Sequence, residues 1–130
     1  MQNVSRLQSI FLVVTAIGLM PVALSYGIIP GKSLPWLFGI DATGVNTRHI
    51  FRALMCLYLA LVAFWILGAM KPSIKVPALW SLVVFMLGLA IGRVASLIID
   101  GWPHPLLVFY LIMEIVFVYV GWRLLARSAA

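Results

Sequence analysis

Four long apolar runs decide most of what this chain can become. They cover about residues 7–29, 48–70, 77–99 and 105–126, each close to the ~20 residues a helix needs to cross a hydrocarbon layer about 30 Å thick. In lipid such a run can satisfy its backbone only as a helix, because each N–H must find its acceptor within the segment. The runs therefore predict an all-α protein, an integral membrane up-down four-helix bundle, in a single domain over residues 1–130. Composition agrees: 65% of the 130 residues are hydrophobic and 9% charged, against roughly 25% charged in soluble domains.

Local signals punctuate the runs. Pro21 predicts a kink in the first span, and Asn46 or Thr47 can cap the second. Pro77 and Pro105 suit first-turn positions, and Gly101 suits the end of the third span. The connection from Pro30 to Asn46 is rich in Gly and Pro but contains "LPWLFGI", a patch expected at the membrane interface with Trp36. "VALSY" loosely resembles a leader cleavage site, but the first apolar stretch is long and its basic start weak, so a retained helix is expected.

The basic residues read as topology rather than as a nucleic-acid surface. The net charge is +6, yet the lysines and arginines sit at span ends, with no compact basic stripe interleaved with aromatics. Arg6, Lys71, Lys75, Arg123 and Arg127 fall on one side, and Lys32 and Arg48 on the other, with Arg52 just inside the second span. The excess on the first side puts both termini and the 71–76 turn in the cytoplasm. Trp80 and Trp122 then mark the inner interface, Trp36 and Trp102 the outer one. Cys56 is the lone cysteine and is expected to be a buried thiol; no intrachain disulfide and no cysteine metal cluster can form. No metal-ligand, nucleophile or phosphate-loop motif is present, and no cofactor is called for.

Charges inside the outer half of the spans are what the topology leaves unexplained. Arg93 lies ~10 Å below Asp100 along the third span, and Glu114 ~15 Å below His104 along the fourth. The similar depths predict an Arg93–Glu114 pair. Arg93, Ser96 and Asp100 share one helical face, and Tyr110 sits one turn before Glu114. Gly88, Gly92 and Ser96 form a small-residue ridge suited to close backbone approach. On the first span, Thr15, Gly18, Val22 and Ser25 make a small, weakly polar face that can close the bundle. Arg48 and Arg52 stand at a helix N-terminus and Asp100 at a helix C-terminus, where the macrodipole disfavours each. Pairing of Asp100 with Arg52 or Arg48 would relieve both. His49 and His104 read as solvated helix ends.

The order Arg48-His49…Arg52, then Gly92-Arg93…Ser96…Asp100-Gly101 with Pro103, then Glu114, carries a resemblance. With "NTRHIFRALMCLYLALVAFWIL" and "GRVASLIIDGWPHPLLVFYLIMEI", it resembles a group of small bacterial four-helix membrane proteins classed as a domain of unknown function. The resemblance runs from the first span through the fourth and implies this fold, a bacterial inner (cytoplasmic) membrane location and importance for these polar positions. It implies no activity. A looser architectural likeness to sterol-isomerase-like membrane proteins carries over no residues.

Intramembrane ionisable residues point to a site unless they only staple helices together. The first functional reading is binding of a membrane lipid or other amphiphile with an anionic head, at Arg48, Arg52, Arg93, Ser96, Asp100, Tyr110 and Glu114. Three arginines against two carboxylates leave positive charge over, and arginine suits a carboxylate or phosphate. The second reading is an accessory subunit of a larger membrane complex, or a homo-oligomer, docking through the small-residue faces. The third is an isomerase-like enzyme for a lipophilic substrate, with Glu114 or an Asp100–His104 pair moving the proton; no catalytic residue is assigned.

Overall fold

Where apolar runs give way to glycine- and proline-rich connections, the backbone changes from long helix to turn. The computed structural model describes residues 2–129, in five helices: α1 (Gln2–Gly27), α2 (Pro30–Phe38), α3 (Val45–Met70), α4 (Pro72–Ile99) and α5 (Pro105–Ala129). Among the described residues there is no strand. Four of the helices are long and apolar enough to cross a membrane. They close a ring in the order α1, α3, α4, α5, with α1 packed far more closely on α3 than on α5.

Several boundaries depart from the sequence signals, for physical reasons. Gly44 takes the N-cap position of α3 in extended conformation, and neither Asn46 nor Thr47 makes a capping hydrogen bond. Pro72 opens α4, so Pro77 lies inside the helix rather than in its first turn. α1 continues through Pro21 as one helix. Asp100 is the C-cap of α4, its N–H donating to Ser96 O, and Gly101 follows with φ +95°, a left-handed angle that suits glycine.

The connection after α1 is not a plain loop. Pro30 starts α2, where its missing N–H costs nothing, and Gly39 at φ 67° ends it by donating back to Leu34 and Pro35 carbonyls. Leu34 and Phe38, one turn apart, are buried in the bundle, while Trp36 points out and is 83% exposed. The helix therefore plugs the end of the bundle opposite the α3–α4 turn with one face and leaves its other face exposed.

The core is apolar and largely aromatic. Leu12, Trp65, Leu79 and Leu82 are fully buried in the half nearer the α3–α4 turn. A line of ring contacts runs from Trp65 through Phe85, Tyr58 and Tyr26 to Phe38 on α2, with centroids 5.1–5.8 Å apart. At the end with the α3–α4 turn polar side chains tie the helices to one another. Lys75 Nζ donates to Ser5 Oγ at 2.8 Å, Ser9 Oγ to Ala69 O at 2.9 Å, and Gln8 Nε2 to Leu124 O at 3.2 Å and to Ser128 Oγ. Gly68 faces Ala78 so closely that a Cβ on the glycine would collide with it, which sets the approach of α3 to α4. The outward surface is apolar; Ile17, Val84 and Ile91 are each more than 60% exposed, as suits side chains that face hydrocarbon. Cys56 lies on this outer face rather than in the core, because α3 turns that side away from both its neighbours.

Candidate functional site

α4 and α5 run antiparallel, and the turn at Gly101–His104 brings Arg93 and Glu114 to one level. Arg93 Nε donates to both carboxylate oxygens of Glu114, at 2.9 and 3.0 Å. Glu114 is buried, and Arg93 is about one-fifth exposed (21%). This is the one ion pair among the described residues. The guanidinium carbon lies 5.7 Å from the Tyr110 ring centroid, so the arginine is held by a carboxylate on one side and an aromatic face on another.

The pair forms the polar end of a cavity of about 270 Å³. α1 contributes Thr15, Gly18, Val22 and Tyr26, α3 contributes Tyr58, and α5 contributes Phe109, Tyr110 and Phe117 beside Glu114. The walls are otherwise apolar. Tyr26 and Tyr58 meet edge to face at 5.5 Å, and both line the cavity with Arg93. The opening lies at the loose α1–α5 seam. Gly18 is exposed there, and a Cβ added to it would meet nothing within 4 Å.

Not every expected site residue gathers here. Arg93, Tyr110 and Glu114 line the cavity together. Ser96 and Asp100 line a separate groove of about 470 Å³ between α4 and α5, with Leu89 and Arg93 common to both. In that groove Ser96 Oγ donates to Asp100 Oδ2 at 2.7 Å. The expected pairing of Asp100 with Arg48 or Arg52 does not form. Arg48 Nε donates instead to Ala42 O at 2.7 Å and Arg52 Nε to Gly27 O at 3.2 Å, and the two line a third cleft beside Ile28 and Gly31. The reason is the face of α3 on which they lie: both arginines turn toward the end of α1 and the start of α2, away from the last turn of α4. The Gly88–Gly92–Ser96 ridge is also not a close helix contact, since a Cβ on either glycine would meet nothing within 4 Å. The close approaches are at Gly27, Gly68 and Gly121. Of the small face on α1, Thr15, Gly18 and Val22 reach the cavity, whereas Ser25 Oγ donates to Val22 O within its own helix.

Tyr26 and Tyr58 are the residues that sequence reasoning passed over. For Tyr58 the signal was available: it lies ten residues into the second span from Arg48, or ~15 Å, the same depth as Glu114. Tyr26 sits at the end of α1 and carried no such signal; only the packing turns its ring inward.

Among the described residues, no three of His, Cys, Asp or Glu gather in a way that could hold a metal ion. The cavity instead offers hydrogen-bond donors at the end of an apolar chamber.

Against known protein families, residues 7–125 match the domain of unknown function DUF4345. The chain belongs to the DUF4345 family. The match covers α3 and α4 whole, most of α1 and α5, and every residue of the cavity, so the Arg93–Glu114 pair lies within the DUF4345 domain. Comparison with the curated proteins and with the solved structures finds no match.

Proposed function

We propose that this DUF4345 protein binds a lipophilic small molecule or lipid in the α1–α5 cavity, from a bacterial inner membrane with both chain termini cytoplasmic. The observation that carries the reading is the cavity itself: an apolar chamber opening at a helix seam, with a buried ion pair and three tyrosines at its polar end. A binding pocket of this kind is mostly apolar, with a few polar groups that fix orientation. Arg93 brings five N–H donors, of which Nε serves Glu114. Its Nη groups make no hydrogen bond to a carboxylate or carbonyl among the described residues. They remain for a ligand.

The head group expected from sequence, an anion on surplus arginines, has less support at this cavity. The Arg93–Glu114 pair carries no net charge, and Arg48 and Arg52 line another cleft. A hydrogen-bond acceptor on an apolar body suits the chamber better. A Cβ at Gly18 meets nothing within 4 Å, so Gly18→Phe introduces a bulky ring at the open mouth from an unhindered position. Protein purified in mild detergent and extracted with organic solvent is expected to release a lipophile, seen by mass spectrometry, that the Gly18→Phe variant lacks. Equal amounts of the same compounds from both proteins would sink the proposal.

A further inference from the structure

We infer that the occupant is an uncharged, single-ring lipophile bearing a carbonyl oxygen, the chemistry of a short-tailed quinone. The inference rests on the cavity being a binding site and assigns the class of its ligand. Charge comes first. Arg93 and Glu114 together are neutral, so a carboxylate or phosphate brought to Arg93 would bury a charge with no counterion left for it. A cation meets the same obstacle, because both Glu114 oxygens already accept from Arg93 Nε.

Donor geometry comes second. The guanidinium is fixed by Glu114 on its Nε edge and by the Tyr110 face, so its Nη groups are spare donors on a residue that lines the chamber. Tyr26 and Tyr58, whose hydroxyls can also donate, line the same chamber. A carbonyl oxygen has two lone pairs and can accept from two such donors at once. A hydrocarbon without an acceptor would leave them unanswered.

Shape comes third. Aromatic rings from Tyr26, Tyr58, Tyr110, Phe109 and Phe117 wall the chamber, surfaces that favour offset or edge contacts with a flat ring. The volume of about 270 Å³ exceeds the ~150 Å³ that holds a benzene molecule. It admits one ring with a few further carbons and is too small to enclose a fused four-ring skeleton. From Tyr26 to Thr15 the cavity follows ~16 Å of α1, so a tail can run along α1 and leave past Gly18 into the bilayer.

The test is titration calorimetry of the full chain in dodecylmaltoside with three probes: ubiquinone-1, prenylbenzene and lauric acid. Ubiquinone-1 is expected to bind, prenylbenzene roughly tenfold or more weakly for want of the carbonyl, and laurate no better than prenylbenzene. In Arg93→Gln/Glu114→Gln the ubiquinone-1 advantage disappears. Tyr26→Phe/Tyr58→Phe, which keeps the ring shapes, reduces it, so the outcome does not hang on one variant's folding. If ubiquinone-1 and prenylbenzene bind equally, or laurate binds best, and Gly18→Phe abolishes that binding, the ligand class is wrong and the cavity reading stands. If no probe binds in a way that depends on Gly18, both fall.

Discussion

Arg93 and Glu114 are each tolerable in an apolar bundle only because of the other. Two Nε hydrogen bonds join them, and Glu114 has almost no solvent contact. Removing one partner leaves a buried charge unanswered, which costs about 3 kcal/mol or more. Arg93→Gln and Glu114→Gln are each expected to lower stability by about that amount in denaturant unfolding from micelles. The double variant should recover most of it, giving a large coupling energy in the cycle. Additive losses would mean that the pair is not a unit. At the outer surface Asp41 behaves differently. The Thr43 N–H and hydroxyl both donate to its carboxylate, and these bonds hold its pKa below the ordinary aspartate value. A folded pKa below the unfolded one contributes stability above the unfolded value, and that contribution is lost as pH falls through the folded value. Thr43→Val removes the hydroxyl bond alone, so a carboxyl carbon NMR titration should show Asp41 titrating at higher pH in the variant. An unchanged midpoint would leave the backbone N–H as its whole cause.

Between elements, glycine positions rather than polarity decide how closely the helices pack. The ridge at Gly88 and Gly92 looked like the contact from spacing alone, yet it faces open groove. The tight points are Gly27 against Met55 and Arg52, Gly68 against Ala78, and Gly121 against Val83. At Gly68 the obstructing atom is the Cβ of another helix and cannot rotate away. Gly68→Ala should therefore destabilise the α3–α4 hairpin by about 1–3 kcal/mol, the usual cost of overpacking. Adding Ala78→Gly should relieve most of that loss, as read by thermal melting in detergent. Loss of the same size with and without Ala78→Gly would place the strain elsewhere. α2 shows the opposite tendency: a nine-residue helix hidden in a glycine- and proline-rich connection, held by Leu34 and Phe38 in the bundle. Its period is too short for sequence patterning to separate from a loop.

For the whole molecule, tightness is uneven. The end with the α3–α4 turn is cross-tied by Lys75, Ser9 and Gln8, whereas the half toward α2 holds the cavity, the α4–α5 groove and the arginine cleft. The lysine and arginine distribution predicts that the tied end faces the cytoplasm. With Cys56→Ala as background, a membrane-impermeant maleimide should label Thr43→Cys in intact cells and Lys71→Cys only after permeabilisation. The reverse pattern would invert the topology.

Apolar run lengths alone determined the environment, the four long helices and the up-down order, because lipid forbids any other way of pairing the backbone. Depth reckoning at 1.5 Å per residue also reached the Arg93–Glu114 pair, since consecutive antiparallel helices share a turn from which both depths are counted. The partners of Arg52 and Asp100 were beyond it. Depth says how far down a residue lies but not which neighbour its face meets, and Arg52 lies on the face of α3 that meets the end of α1. The same limit hid Tyr26, and with it the cavity. A chamber is the space that helices from four places in the chain leave unfilled, and only their packing decides where that space lies.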